Sequence, residues 1–86
     1  MKIYYSNNFI KKFEKLSLSL QLQVENRLEI FKDNPRYPLL NNHNLKGKWL
    51  GHRSINITGD YRAIYHESEI DIATFDTVDT HSNLYG

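Results

Sequence analysis

Arg53-Ser54-Ile55-Asn56-Ile57-Thr58-Gly59-Asp60-Tyr61-Arg62-Ala63-Ile64-Tyr65-His66 is the stretch from which the rest of the chain is read. Arg53, Ile55 and Ile57 alternate with Ser54, Asn56 and Thr58, and this period of two sets successive side chains on opposite faces of a strand. Thr58-Gly59-Asp60 supplies turn chemistry and Tyr61 to His66 follows as a second strand, so residues 52–66 are predicted to form a β-hairpin. Ile70 to Phe75 reads as a third strand extending this meander, with Glu67-Ser68-Glu69 as its turn.

Upstream of Trp49 the period is helical. Phe9, Phe13 and Leu16 fall at i, i+4 and i+7 behind Ser6 or Asn7 as a cap, with Lys11, Lys12 and Lys15 off the stripe as a solvated face. Ser17 or Ser19 offers a second cap, after which Leu20, Val24, Leu28 and Phe31 recur until Asn34-Pro35 stops the helix. Lys2-Ile3-Tyr4-Tyr5 is a short β-favouring run. Residues 35–48 hold both prolines, three asparagines and Gly47, and read as the one long loop, with Leu39, Leu40 and Leu45 as anchors. The order β-α-α-β-β-β predicts an α+β fold, an antiparallel sheet packed on a two-helix hairpin.

The 86 residues bound the function classes as well. They make one domain, 1–86, with one core. There is no cysteine, which excludes a disulfide scaffold, a cysteine nucleophile and a zinc ribbon. The four histidines include no pair at i, i+3 or i+4, so neither a metal nor another cofactor is expected. No apolar run is long enough to span a bilayer and Met1-Lys2-Ile3-Tyr4-Tyr5 is not a signal peptide, so a cytoplasmic location without membrane contact is expected. The formal net charge of +1 hides an asymmetry. Residues 1–62 hold all eleven Lys and Arg against five acids, and residues 63–86 hold five acids and no Lys or Arg, which suggests a basic face for a polyanion.

Three segments carry a family resemblance: Leu45-Lys46-Gly47-Lys48-Trp49-Leu50-Gly51-His52-Arg53, Gly59-Asp60-Tyr61-Arg62-Ala63-Ile64-Tyr65 and Thr80-His81-Ser82-Asn83-Leu84-Tyr85. In this order they resemble the RelE/ParE toxin superfamily, most closely its YafQ-like branch. The resemblance implies the toxin of a bacterial type II toxin-antitoxin pair, a ribosome-dependent endoribonuclease that cuts mRNA in the A site. It implies as partners the ribosome and mRNA and a cognate antitoxin, through which a larger complex could sit on operator DNA. The alternative within the superfamily is a ParE-like inhibitor of DNA gyrase that binds protein and leaves RNA intact.

Metal-free RNA cleavage needs a base for the 2′-OH, a cation for the crowded phosphorane and an acid for the leaving 5′-oxygen. By the resemblance His81 is the general acid or base, a task that suits a group titrating near neutrality. Arg62 is read as the phosphate contact, since a guanidinium on a strand can offer two parallel hydrogen bonds. Asp60 orients a histidine or deprotonates the 2′-OH, and His43 aligns with a further histidine of the YafQ-like pattern. Tyr85, four residues after His81, is the candidate to stack on a base. Lys46, Lys48 and Arg53, together with Arg62 and the helix lysines, are the candidate basic patch. Asn56 stands where the YafQ-like branch carries a histidine; it can hydrogen-bond RNA but cannot move a proton. His52 and His66 lie off the motif and read as surface residues.

Overall fold

Ser6 Oγ accepts the backbone N–H of Phe9 at 3.0 Å, and this cap starts the first helix where β1 (Lys2–Tyr5) ends. The structure is a computed structural model and describes all 86 residues, Met1–Gly86. Helix α1 spans Asn7–Glu14, and α2 spans Leu18–Asp33 behind Ser17, whose Oγ accepts from Leu20 N at 3.3 Å. Along α2 the predicted stripe is the buried one: Val24, Leu28 and Phe31 are inside and Leu20 is half-buried. Asn34 and Pro35 end it as the sequence predicts.

The chain then turns through two short 3₁₀ segments, Pro38–Leu40 and Gly47–Trp49, which flank the two-residue strand β2 (His43–Asn44). The strands β3 (Arg53–Asn56), β4 (Tyr61–Glu69) and β5 (Ile72–Thr80) form the expected meander, and α3 (His81–Tyr85) closes the chain. The five strands make one sheet in the order β1-β5-β4-β3-β2.

The α+β class is as expected, with two corrections. The sheet is mixed rather than wholly antiparallel, because β1 pairs in parallel with β5 in the register Lys2↔Ile72 to Tyr5↔Phe75. Hairpin reasoning gives only antiparallel neighbours; the pairing of β1 with a strand seventy residues away leaves no local signature. The β4–β5 turn is Ile70-Asp71 instead of Glu67-Ser68-Glu69. Asp71 adopts the left-handed conformation (φ 61°), which Asp tolerates, and Ser68 continues the strand with its Oγ 3.1 Å from Thr74 Oγ1.

The two helices cover one face of the sheet. There Phe9, Val24, Leu28, Phe31, Ile55, Ala63, Tyr65, Phe75 and Val78 belong to a single buried cluster of 12 residues. Phe31 meets Tyr65 and Phe75 edge-on at centroid separations of 4.9 and 5.2 Å. The other face has a much smaller cover: Leu45 from the loop and Leu84 from α3 close over Ile64, with Trp49 packed beside them. A register shift in β4–β5 leaves Asp76 unpaired between Tyr65↔Phe75 and Ile64↔Thr77, a β-bulge that bends the strand beneath this thin cover.

Candidate functional site

Helix α3 is too short to hold itself, and most of its fixings come from residues of the three quoted segments. Thr80 Oγ1 caps it by accepting from Asn83 N at 3.2 Å. The His81 N–H donates to the Asp60 carbonyl at 2.9 Å, which ties the helix start to the β3–β4 turn. Leu84 is buried, and Trp49 Nε1 donates to its carbonyl at 3.2 Å. With Leu84 turned inward, His81 and Tyr85 are left on the exposed side one turn apart, their rings 4.7 Å between centroids at 60°.

Arg62 is joined to this helix through the sheet register. Tyr61 pairs with Thr80, and Arg62 stands in a cross-strand row with Asn56 on one side and Asp79 on the other. The Arg62 guanidinium folds back on the turn: Nη1 donates to the carbonyls of Thr58, Gly59 and Tyr61 at 2.9, 3.1 and 3.2 Å. Its hydrogen bonds within the chain all run through Nη1, so the N–H groups of Nε and Nη2 have no partner in the chain. Asp60 is exposed in the same turn. Thus the turn carrying Asp60, the base of Arg62 and the start of α3 carrying His81 lie at one end of the sheet.

Asp79, the outer member of the row, is fully engaged. Its Oδ2 accepts from Lys12 Nζ at 2.9 Å, and its Oδ1 accepts from Asn83 Nδ2 at 2.9 Å and Thr80 N at 2.8 Å. Burial pushes its carboxyl up, but the Asn83, Lys12 and Thr80 hydrogen bonds and the Lys12 charge outweigh that, and it titrates below its ordinary value. Lys12 is therefore committed to the α1–β5–α3 junction, while Lys11 and Lys15 remain on the exposed helix face.

The other expected residues are spread more widely. Asn56 has its side-chain Oδ1 buried without a partner and lines a cleft of about 250 Å³ with Arg27, Leu39, Thr58 and Gly59. His43 is exposed on β2, the opposite edge strand, with Nδ1 2.8 Å from the Asn41 carbonyl. His43 lies on β2 and His81 begins α3 beyond β5, and no hydrogen bond joins the two rings, although Leu45, two residues after His43, packs with Leu84 of α3. Lys46 and Lys48 are exposed on the loop between β2 and β3. Arg53 shares its strand face with Ile55, on the helix side, and its guanidinium is held by Asn42 Oδ1 at 2.7 Å and by Asn44 Oδ1. Asn42 also donates to Tyr65 OH at 2.8 Å, so Arg53 locks the loop to the core.

Two features escape a linear reading. Leu84 and Trp49 decide where His81 points; the buried position between two exposed aromatics in His81-Ser82-Asn83-Leu84-Tyr85 is the signal for the former. His52 and His66, expected on the surface, are half-buried and meet at Asp76.

No family model and no curated protein matches the chain. Solved structures do. The crystal structure of YafQ from E. coli strain BL21(DE3) superimposes with a TM-score of 0.81 at 21% identity, covering 99% of this chain and 98% of that one. The YoeB/ParE toxin from Agrobacterium tumefaciens gives 0.78 at 20% identity over 94% of this chain and 99% of its own. The toxin of the E. coli DinJ-YafQ complex gives 0.71 at 25% identity over 99% and 98%. The fold of this chain is therefore the one seen in the YafQ and YoeB/ParE toxin structures.

Proposed function

We propose that the chain is the toxin of a type II toxin-antitoxin pair and an endoribonuclease that cuts mRNA in the ribosomal A site. The observation that carries this reading is the exposed His81–Tyr85 pair, held on α3 and bonded at its start to the turn that Arg62 braces. In this reading a base takes the 2′-OH proton, and the freed oxygen attacks phosphorus. The bond to the 5′-oxygen breaks with a proton supplied to it, leaving a 2′,3′-cyclic phosphate and a 5′-OH. The outer N–H groups of Arg62 meet the extra negative charge on the phosphorane. Tyr85 stacks on a base and so sets the scissile linkage beside His81.

Asp60, rather than His43, is the partner this geometry favours for His81, because its backbone already bonds the helix that carries the imidazole. His43, Lys46 and Lys48 then serve as RNA contacts along the far edge. Asn56 in the central row supplies a hydrogen bond and no proton.

A cognate antitoxin is the expected protein partner, as DinJ is of YafQ in the E. coli complex. The apolar groove of about 230 Å³ lined by Tyr5, Phe9, Ile10, Phe13 and Leu28 suits an amphipathic segment of such a partner.

Inducible expression in bacteria with mapping of mRNA 5′ ends tests the nuclease. Growth arrest with cuts locked to the reading frame is expected, and His81→Ala relieves both. A DNA-damage response with intact mRNA points instead to a gyrase inhibitor of the ParE kind, and no toxicity at all overturns the reading.

A further inference from the structure

The structure assigns a second site to this chain: His52, His66 and Asp76 form a three-ligand site for a divalent transition cation of the zinc type. The three residues come from adjoining strands. His52 precedes β3, His66 lies on β4 and Asp76 on β5, and their ligand atoms all fall within 4.8 Å of one another. Asp76 Oδ2 lies 2.7 Å from His66 Nδ1 and 3.3 Å from His52 Nε2. Ligand atoms about 2.0 to 2.2 Å from a tetrahedral zinc stand roughly 3.3 to 3.5 Å apart, so the His52–Asp76 separation already fits and the His66–Asp76 pair must open by about 0.7 Å.

The site is built rather than accidental. Asp76 is the bulged residue of β5, and its carbonyl is pinned by Ser6 Oγ at 2.8 Å and Asn8 Nδ2 at 3.1 Å. The bulge and these two bonds fix the strand where the carboxylate leaves it. The His52 ring is clamped edge-on between Trp49 and His66, each at a centroid distance of 5.4 Å. One ion pair would require one imidazole; here two converge on a single carboxylate oxygen, and two imidazolium rings so close repel each other. A cation bound to the lone pairs of both rings and the carboxylate removes that conflict. Two imidazoles and a carboxylate suit Zn²⁺.

The side chains of the trio are between a quarter and two-fifths exposed, so an ion can reach them from solvent. His52 Nδ1 is buried without a partner, so no outer hydrogen bond reinforces that ligand, and affinity in the micromolar range is expected rather than that of a structural zinc site.

The assignment is independent of the nuclease reading. Calorimetric titration of the purified chain with Zn²⁺ should give one ion per chain. Loss of either ring nitrogen or the carboxylate, in His52→Gln, His66→Gln or Asp76→Asn, should lower affinity about tenfold or more. His43→Ala and His81→Ala should bind as wild type does. Proton NMR of the same samples should show the His52 and His66 ring signals, and not those of His43 and His81, moving with the metal; this readout requires no variant to fold. Absence of saturable binding, or binding that follows His43 and His81, overturns the assignment.

Discussion

The helix-covered face of the sheet buries 12 apolar residues in one cluster, while the opposite face buries three apolar ones, Leu45, Ile64 and Leu84. Phe9, Phe31, Tyr65 and Phe75 pack ring against ring on the first face. The second holds exposed or half-exposed polar groups around a small apolar plug: His81 and Tyr85 on α3, Arg62 and Asn56 in the sheet, and the His52–His66–Asp76 cluster beside Trp49. The difference teaches how so short a chain combines stability with chemistry. Stability comes from one side, and the other side carries only enough apolar contact to hold α3 at a fixed angle, which leaves its polar groups reachable.

Substitutions should separate the two faces. Phe75→Ala, in the centre of the large cluster, should lower the unfolding free energy by about 3 to 5 kcal/mol in urea titration, a large share of what so small a domain holds. Leu84→Ala should cost less, about 2 kcal/mol, because its neighbours are few. Its main result should be local: amide exchange in α3 accelerates while the sheet stays protected, and activity falls because His81 and Tyr85 lose their support. If Leu84→Ala destabilised the chain as much as Phe75→Ala, the contrast between the faces would not hold.

Asp79→Asn probes the junction between them and should cost about 1 to 3 kcal/mol near neutral pH, through weakened hydrogen bonds to Lys12 and Asn83. The sign follows from its lowered carboxyl. The contribution is present above the ordinary carboxylate range and disappears as acid protonates Asp79, so wild type and variant should converge at low pH. The smallest effect is expected at Tyr5, beside the α1–α2 groove. Burial, opposed by the Lys32 charge and reinforced by Glu29 and Glu25, raises its phenol, so the ultraviolet titration of wild type should lose a component above the ordinary tyrosine range in Tyr5→Phe.

Much of this was legible in the sequence because it is local. The stripe Val24-Leu28-Phe31, the caps at Ser6 and Ser17, the alternation from Arg53 to Tyr65 and the i, i+4 spacing of His81 and Tyr85 each follow from periods of two or 3.6. What stayed hidden depends on register between distant strands. The parallel seating of β1 against β5 is one example, and the bulge at Asp76 is another. The meeting of His52, His66 and Asp76 is a third: their spacing of fourteen and ten residues carries no metal signature, yet strand pairing stacks them side by side. Charge alone puts Arg53 in the basic patch; that Asn42 and Asn44 hold its guanidinium is set by its strand face and the fold of the loop.

Single-turnover cleavage of mRNA held in the ribosomal A site, comparing wild type with His81→Ala, tests the central claim most directly. Removing the imidazole should slow cleavage by about 10² to 10⁴, with folding stability unchanged to within about 0.5 kcal/mol since the ring is exposed. A folded His81→Ala protein that cuts the same codon at the wild-type rate would contradict the account.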